Sequence, residues 1–219
     1  KLHIKSPFYD VAGFKKGNNT LHNIELNILR SIKKKKILHL QCHFGLDTFS
    51  LERLGAQVTG VDFSEKGIEY ANELKNEMGF SSEFICSDVY SLDLTKSHEF
   101  DIIFCSYGIT GWLPNLDKWG QVISDHLNSS GTFVLVDFHP ALWMFDDDFQ
   151  SIAYSYFNDQ SYIEKENGSY ANRNSKEEIT SIWWSHSLSE ITQSLLNHNM
   201  TLENFQEYDY SPFNCFQHT

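Results

Sequence analysis

Residues 37–50 read ILHLQCHFGLDTFS. The stretch starts as a short apolar strand. From Gly45 onward, Leu46, Phe49, Leu51 and Leu54 recur at helical spacing, and Gly55 offers a stop. Strand, tight turn and helix start within so few residues point to an α/β fold. The turn itself is unusual. Nucleotide-binding turns carry a run of glycines here, whereas this chain has Gln41, Cys42, His43 and Phe44 before a single Gly45. Three readings are open at this point: a cofactor loop without most of its glycines, a metal site made of His39, Cys42 and His43, or a polar turn.

The alternation continues on both sides. Strands are predicted over 57–62 (QVTGVD), 83–89 (EFICSDV), 100–106 (FDIIFCS) and 131–138 (GTFVLVDF). Ser64 caps a helix with Ile68, Ala71, Leu74 and Met78 on one face, ended by Gly79. A further helix over 115–127 carries Leu116, Trp119, Val122, Ile123 and Leu127. Strands this apolar belong to a parallel sheet covered on both faces. Its crossovers are expected to be right-handed, with ligands beyond the carboxyl ends of the strands, near the point where strand order reverses.

An aromatic lead-in, SPFYDVAGF at 6–14, and a helix over about 20–32 precede the first strand. After the fifth strand, 139–178 is irregular and rich in Trp, Phe and Tyr, and is expected to form an aromatic lid. ITSIWWS at 179–185 reads as a strand, 187–199 as a helix opened by a capping box of Ser187 and Glu190, and 201–210 as a last strand. One domain is expected, with 1–36 as lid and helix, 37–138 as core, 139–186 as insertion and 187–219 as C-terminal helix and strand.

Composition agrees with one folded core. The 219 residues are 41% hydrophobic, 15% aromatic and 21% charged. A net charge of −12 argues against a nucleic-acid partner, because binding a phosphate backbone needs clustered Lys and Arg. The basic run from Lys33 to Lys36 suits a helix end. Of the four cysteines, Cys42, Cys86 and Cys105 fall at or beside apolar runs without paired spacing, which implies reduced thiols and a cytoplasmic protein. No apolar run approaches the roughly 18 residues of a membrane helix, no signal peptide is visible, and no membrane partner is expected.

The residues just after each strand carry the chemistry. Asp62 can accept hydrogen bonds from a ribose diol, or simply hold the next turn. Asp88 can accept from an adenine amino group while the Val89 amide meets a ring nitrogen, or form a turn. Amides around Gly45 point into the crevice at a helix start, where an anion is favoured. Side chains on Gln41 and His43 stand where a pyrophosphate needs bare backbone, which favours a ligand with a smaller anionic group. The metal reading is weak. A strand and tight turn aim His39, Cys42 and His43 in different directions, and no carboxylate or second cysteine lies nearby at zinc spacing, so no metal is expected.

On these residues the chain resembles the class I S-adenosylmethionine-dependent methyltransferases. That family's first loop has the form acid-x-Gly-x-Gly-x-Gly. Aligned on LHLQCHFG, the acid falls on His39 and the glycines on Gln41, His43 and Gly45. VTGVDFS resembles its second strand, ICSDV its adenine segment, and FDIIFCSYGI with LNSSGTFVLVDF its fourth and fifth strands. HLQCHFGLDT with SPFYD and DFHP resembles a bacterial subgroup with Gln-Cys-His in the loop. The resemblance, over about 37–138, implies a Rossmann-like, doubly wound, mostly parallel sheet. It also implies S-adenosylmethionine as cofactor and S-adenosylhomocysteine as product. In the first loop and helix the implied contacts are Gln41, Cys42, His43, Gly45 and Thr48. After the second strand they are Asp62 and Phe63, after the third Asp88 and Val89, and after the fourth Ser106 and Tyr107. With His39 in place of the acid, the cofactor's amino group falls to Gln41 or to the backbone at Ser106 and Tyr107.

The family's Asn/Asp-Pro-Pro-aromatic motif is replaced by SYGITGWLPN at 106–115. With the acidic charge, this points to a small-molecule acceptor offering a hydroxyl, amine or thiol. Tyr9, Trp112 and Trp143, with Phe8, Phe145, Tyr154 and Tyr156, either line its cavity or fill core. His139 after the fifth strand is the candidate general base, or else holds the Pro140 turn. His186 reads as the residue before a helix cap. Two alternatives stand beside enzymatic methyl transfer: a non-catalytic S-adenosylmethionine-binding protein, and a nicotinamide-dependent oxidoreductase, which should carry the full glycine fingerprint. A monomer or homodimer is expected. The family closes its sheet with an antiparallel hairpin, and this chain stops at Thr219 soon after the presumed sixth strand.

Overall fold

The structure, a computed structural model, describes residues 6, 9–94, 100–146, 148–167 and 178–212. Five parallel strands form the central sheet: β1 (Lys36–Leu40), β2 (Gln57–Asp62), β3 (Glu83–Cys86), β4 (Phe100–Ser106) and β5 (Leu127–Val136). Their order is β3-β2-β1-β4-β5, so the direction of winding reverses between β1 and β4.

Strand alternation divides the core into two layers. Ile37 and Phe104 pack on one side with Leu51 of α3 (Leu46–Arg53) and Ile24 of α2 (Asn23–Ile28). Leu38, Leu40, Ile103 and Cys105 face the other side. They pack there against Trp119 and Ile123 of α5 (Leu116–His126) and Ile191 of α6 (Leu188–Leu196). A third cluster joins Phe14 of α1 (Val11–Lys15), Phe49 of α3 and Leu74 of α4 (Glu65–Met78) beside Phe84 of β3. Trp119 and Phe49 have no exposed surface, and burial of a large apolar side chain stabilises by about 1.5–3 kcal/mol.

The helix starts follow local chemistry. Ser64, Asn115 and Ser187 each accept a hydrogen bond from an amide in the first turn of α4, α5 and α6. Gly79 ends α4 in the left-handed region.

Several expected boundaries move. The helix expected over 20–32 shrinks to α2, with a His22–Glu25 capping box and an early exit at Leu29. The third strand stops at Cys86, because the Asp88 carboxylate draws the backbone into a 3-10 turn, Val89–Ser91. β5 begins at Leu127, earlier than expected, with a register irregularity opposite Phe100 and Ile102. The last strand expected over 201–210 is corrected to an exposed segment without strand pairing. Leu202, Phe205, Tyr208 and Tyr210 along it remain open to solvent.

The region after β5 is more ordered than its composition suggested. Pro140–Met144 forms a 3-10 turn, and β6 (Ser161–Asn167) pairs antiparallel with β7 (Glu178–Trp184) as a separate two-stranded sheet. Tyr162 stands opposite Trp183, and Tyr154 closes on both rings at 5.0 and 4.8 Å. Among the described residues, no helix is long and apolar enough to cross a membrane.

Candidate functional site

β1 passes to α3 through residues 41–45. Cys42 N donates to Val61 O at 2.9 Å, which carries the ladder one residue past the strand. The backbone then alternates: Gln41, His43 and Gly45 have φ of 54°, 54° and 85°. These are the three positions at which the family pattern has glycine. The loop thus keeps a glycine loop's backbone path, with side chains at two of the three left-handed positions. Each non-glycine residue there costs about 1–2 kcal/mol.

Specific contacts hold the loop against that cost. Gln41 Nε2 donates to the Ile109 carbonyl at 3.2 Å, and His43 N donates to Asp62 Oδ2 at 2.8 Å. The His43 ring lies on Tyr9 and Phe44, with centroids 5.1 and 4.5 Å apart. Only Gly45 lacks room for a side chain: a Cβ would come within 2.6 Å of Phe84 Cε1.

Asp62 ends β2 with its carboxylate nearly buried. Oδ1 accepts from Ser64 N at 2.9 Å while Oδ2 holds His43 N. Burial raises its pKa, and the two amide bonds oppose that rise. Each carboxylate oxygen has a second acceptor site, so a ribose diol remains compatible with both bonds. Phe63 follows with 76% of its surface exposed. Asp88 caps its turn by accepting from Tyr90 N at 2.8 Å, and Val89 is buried beneath it.

At the other side of the crevice, Ser106 Oγ donates to Asp47 Oδ2 at 3.1 Å, and Thr20 Oγ1 donates to Asp47 Oδ1 at 2.6 Å. Tyr107 also has a left-handed backbone, φ 44°, and its hydroxyl lies beside the buried Glu25. Burial, then the Glu25 carboxylate, pushes the phenol pKa up. Asp137, just after β5, accepts from the amides of Gly108, Thr110 and Phe138 and from Thr110 Oγ1. It fixes the loop that follows β4, and burial raises its pKa.

His39, Cys42 and His43 have separate surroundings. The His39 ring is buried, with Nδ1 2.8 Å from Thr48 Oγ1, and burial lowers its pKa to about 4. Cys42 Sγ lies against Gly60, and burial raises the thiol pKa well above its ordinary value. The side chains of Cys42 and Thr48 are thus turned away from solvent. Both side chains sit beneath the loop and support it.

His139 has both ring nitrogens engaged. Nδ1 accepts from Ala141 N at 3.1 Å, and Nε2 lies 2.8 Å from Glu207 Oε1. It holds the Pro140 turn and also ties the segment after α6 to the end of β5. Trp143 packs edge-on against Phe138, which meets Tyr107. Trp112 stands exposed on the turn Thr110–Trp112. Phe8 lies outside the described residues. His186 is buried, its Nε2 2.7 Å from the Leu113 carbonyl, and serves the packing of α6.

Asp47, Asp137 and Glu25 escaped the sequence reading. Asp47 looked like an ordinary helix-start acid and Asp137 like part of a strand. The signal for Glu25 was the three-residue spacing of His22 and Glu25, which reads as a capping box.

Residues 37–131 match the model of a family described as "Methyltransferase domain". An uncharacterised protein of Haemophilus influenzae is 33% identical over 145 residues, covering 59% of this chain and 55% of its own length. A ubiquinone biosynthesis O-methyltransferase of Nitrosococcus oceani is 31% identical over 99 residues, covering 44% and 42%. The chain thus spans about half the length of these relatives. In fold it is similar to an S-adenosylmethionine-dependent methyltransferase from Clostridium acetobutylicum. That likeness has a TM-score of 0.60 and 17% identity over 83% of this chain and 79% of the other.

Proposed function

We propose that this chain, whose residues 37–131 match a methyltransferase domain, transfers a methyl group from S-adenosylmethionine to a small-molecule acceptor. The observation that carries this reading is the loop at 41–45. It has a left-handed residue at each family glycine position, opens α3, and is held by the acid that ends β2. Two features fit the cofactor further. Gln41 Oε1 is a buried acceptor without a hydrogen-bond partner among the described residues. The first-turn amides of α3 have no intrahelical acceptor, which suits the methionyl carboxylate.

When bound, S-adenosylmethionine supplies a methyl group already activated on a sulfonium sulfur. The chain's residues then have to bind, orient and exclude water. Asp62 accepts from the ribose hydroxyls, Phe63 covers a face of the adenine, and Asp88 with the Val89 amide meets its edge. Gln41, Ser106 and Tyr107 border the amino-acid end. The acceptor approaches past Tyr9, Trp112 and Trp143, with the aromatic segment after β5 as a lid. A hydroxyl acceptor is favoured because related sequences are named O-methyltransferases. His139 can serve as base only after Ala141 N releases Nδ1, because Nε2 carries the proton that faces Glu207. Proximity and orientation alone need no such rearrangement.

The test is thermal unfolding with S-adenosylhomocysteine and, separately, NADH, followed by turnover of methyl-labelled S-adenosylmethionine on phenol, amine and thiol panels. Ligand at 1,000 times its Kd is expected to add about 4 kcal/mol. Stabilisation by NADH and not by S-adenosylhomocysteine would overturn the reading. Binding without turnover on any panel would leave a non-catalytic binding protein.

A further inference from the structure

The sheet order reverses between β1 and β4, and two side-chain links cross the gap there. Gln41, at the end of β1, donates to the Ile109 carbonyl, and Asp47, in the first turn of α3, accepts from Ser106. The gap is therefore bordered by two acceptors facing the loop after β4. Among the described residues Gln41 Oε1 is buried without a partner, and its orientation is fixed by the bond that Nε2 makes. The Asp47 carboxylate is half-buried and, among the described residues, accepts from the neutral donors Thr20 and Ser106. Among the described residues it has no ion-pair partner. The neighbouring His39 does not balance its charge, since burial keeps that imidazole neutral near pH 7.

A partly desolvated carboxylate and an unused acceptor, each tied to the loop after β4, fit a cation that can donate to both. At the reversal of a doubly wound sheet that cation belongs to the ligand. We infer that Asp47 and Gln41 together hold the ammonium group of the cofactor's amino-acid end. The acid that the family carries at the end of its first strand has in effect moved onto the first turn of α3, and His39 fills the vacated position as core. The zwitterion is then split between two devices, with the first-turn amides of α3 taking its carboxylate and Asp47 its ammonium.

This inference rests on the cofactor reading above, and calorimetry can separate the two. The probes are S-adenosylhomocysteine, its desamino analogue and 5′-methylthioadenosine, which lacks the amino-acid end. Asp47→Asn is expected to weaken S-adenosylhomocysteine binding by roughly 10- to 150-fold, the range for a hydrogen bond to a charged group, and to leave the other two probes unchanged. Thr20→Val removes a neutral partner and keeps the charge, so the preference for S-adenosylhomocysteine over its desamino analogue should survive. Gln41→Met should reduce that preference, and it replaces the Asp47 test if Asp47→Asn fails to fold. If Asp47→Asn weakens all three probes equally, the residue only shapes the loop and the inference is overturned. Unchanged S-adenosylhomocysteine affinity in that variant overturns it as well. A native chain that binds neither S-adenosylhomocysteine nor methylthioadenosine sinks the cofactor reading and this inference with it.

Discussion

Replacing Gly45 with alanine would ask the loop to carry a side chain at the one left-handed position where Phe84 blocks it. The new Cβ would lie 2.6 Å from Phe84 Cε1 and 2.7 Å from Cζ, with φ at 85°. Two costs add. The left-handed backbone contributes about 1–2 kcal/mol, and displacing a ring that packs on Phe49 about 1–3 kcal/mol. The expected loss is about 2–5 kcal/mol, or roughly 4–20 °C in Tm for a chain of this size. Urea unfolding followed by tryptophan fluorescence measures it, since Trp119 lies wholly in the core. The double variant Gly45→Ala, Phe84→Leu separates the parts: relative to Phe84→Leu alone, only the backbone cost should remain. A Gly45→Ala chain within about 0.5 kcal/mol of native, the range for unremarkable surface changes, would refute this account of the loop.

Three further outcomes are expected. The unfolded chain takes up a proton on His39 near pH 6.5 and the folded chain only near pH 4, so stability falls as pH drops through that window. At about 1.36 kcal/mol per pH unit the loss is about 3 kcal/mol, and denaturation of a His39→Gln variant between pH 7 and 4 should lack it. Asp62 and Asp137, whose pKa values are raised, act in the opposite direction, so the measure is the difference between native and variant. Asp62→Asn should cost about 1.5–3 kcal/mol in urea unfolding, because an amide cannot accept from both His43 N and Ser64 N. Native-like stability in that variant would remove its role in holding the loop. If His139 acts as base, His139→Gln lowers turnover by roughly 10²–10⁴ with S-adenosylhomocysteine affinity kept, and native turnover would assign transfer to proximity alone.

The strands and long helices could be read from residue type because two-sided burial leaves a plain apolar pattern. Ile37 to Leu40 and Ile102 to Cys105 serve two layers at once, so every position is apolar or, as at His39, buried. Ser64, Asn115 and Ser187 announced their helices because a cap is a local bond. Elements whose burial is slight left no such mark. β6 sets Tyr162 and Ile163 side by side ahead of the polar run Glu164 to Asn167 and exposes Ile163, so its sequence resembles that of a loop. Residues 201–210 look like a strand in type, but strand pairing requires a neighbouring edge as well as a pattern. In the candidate site, the positions of Asp62 at a strand end and Gly45 at a helix start were legible from residue type. The left-handed backbone at Gln41 and His43 was not, because neither residue type prefers that region. Asp47 was missed for a related reason: its surroundings come from Thr20 and Ser106, which are distant in sequence.

A glycine loop gains its shape by giving up the widest conformational freedom in the chain. At 41 and 43 this protein starts from less, since a side chain already narrows the unfolded backbone, by about 0.4–1 kcal/mol per position on the scale of glycine-to-alanine changes. The local strain is thus partly offset in the denatured ensemble. With Asp62, Ile109 and Tyr9 each gripping it, the loop is set before any ligand arrives. Association then has less chain to immobilise at that point, and the entropy of binding is where such a loop should differ from its glycine-rich counterparts.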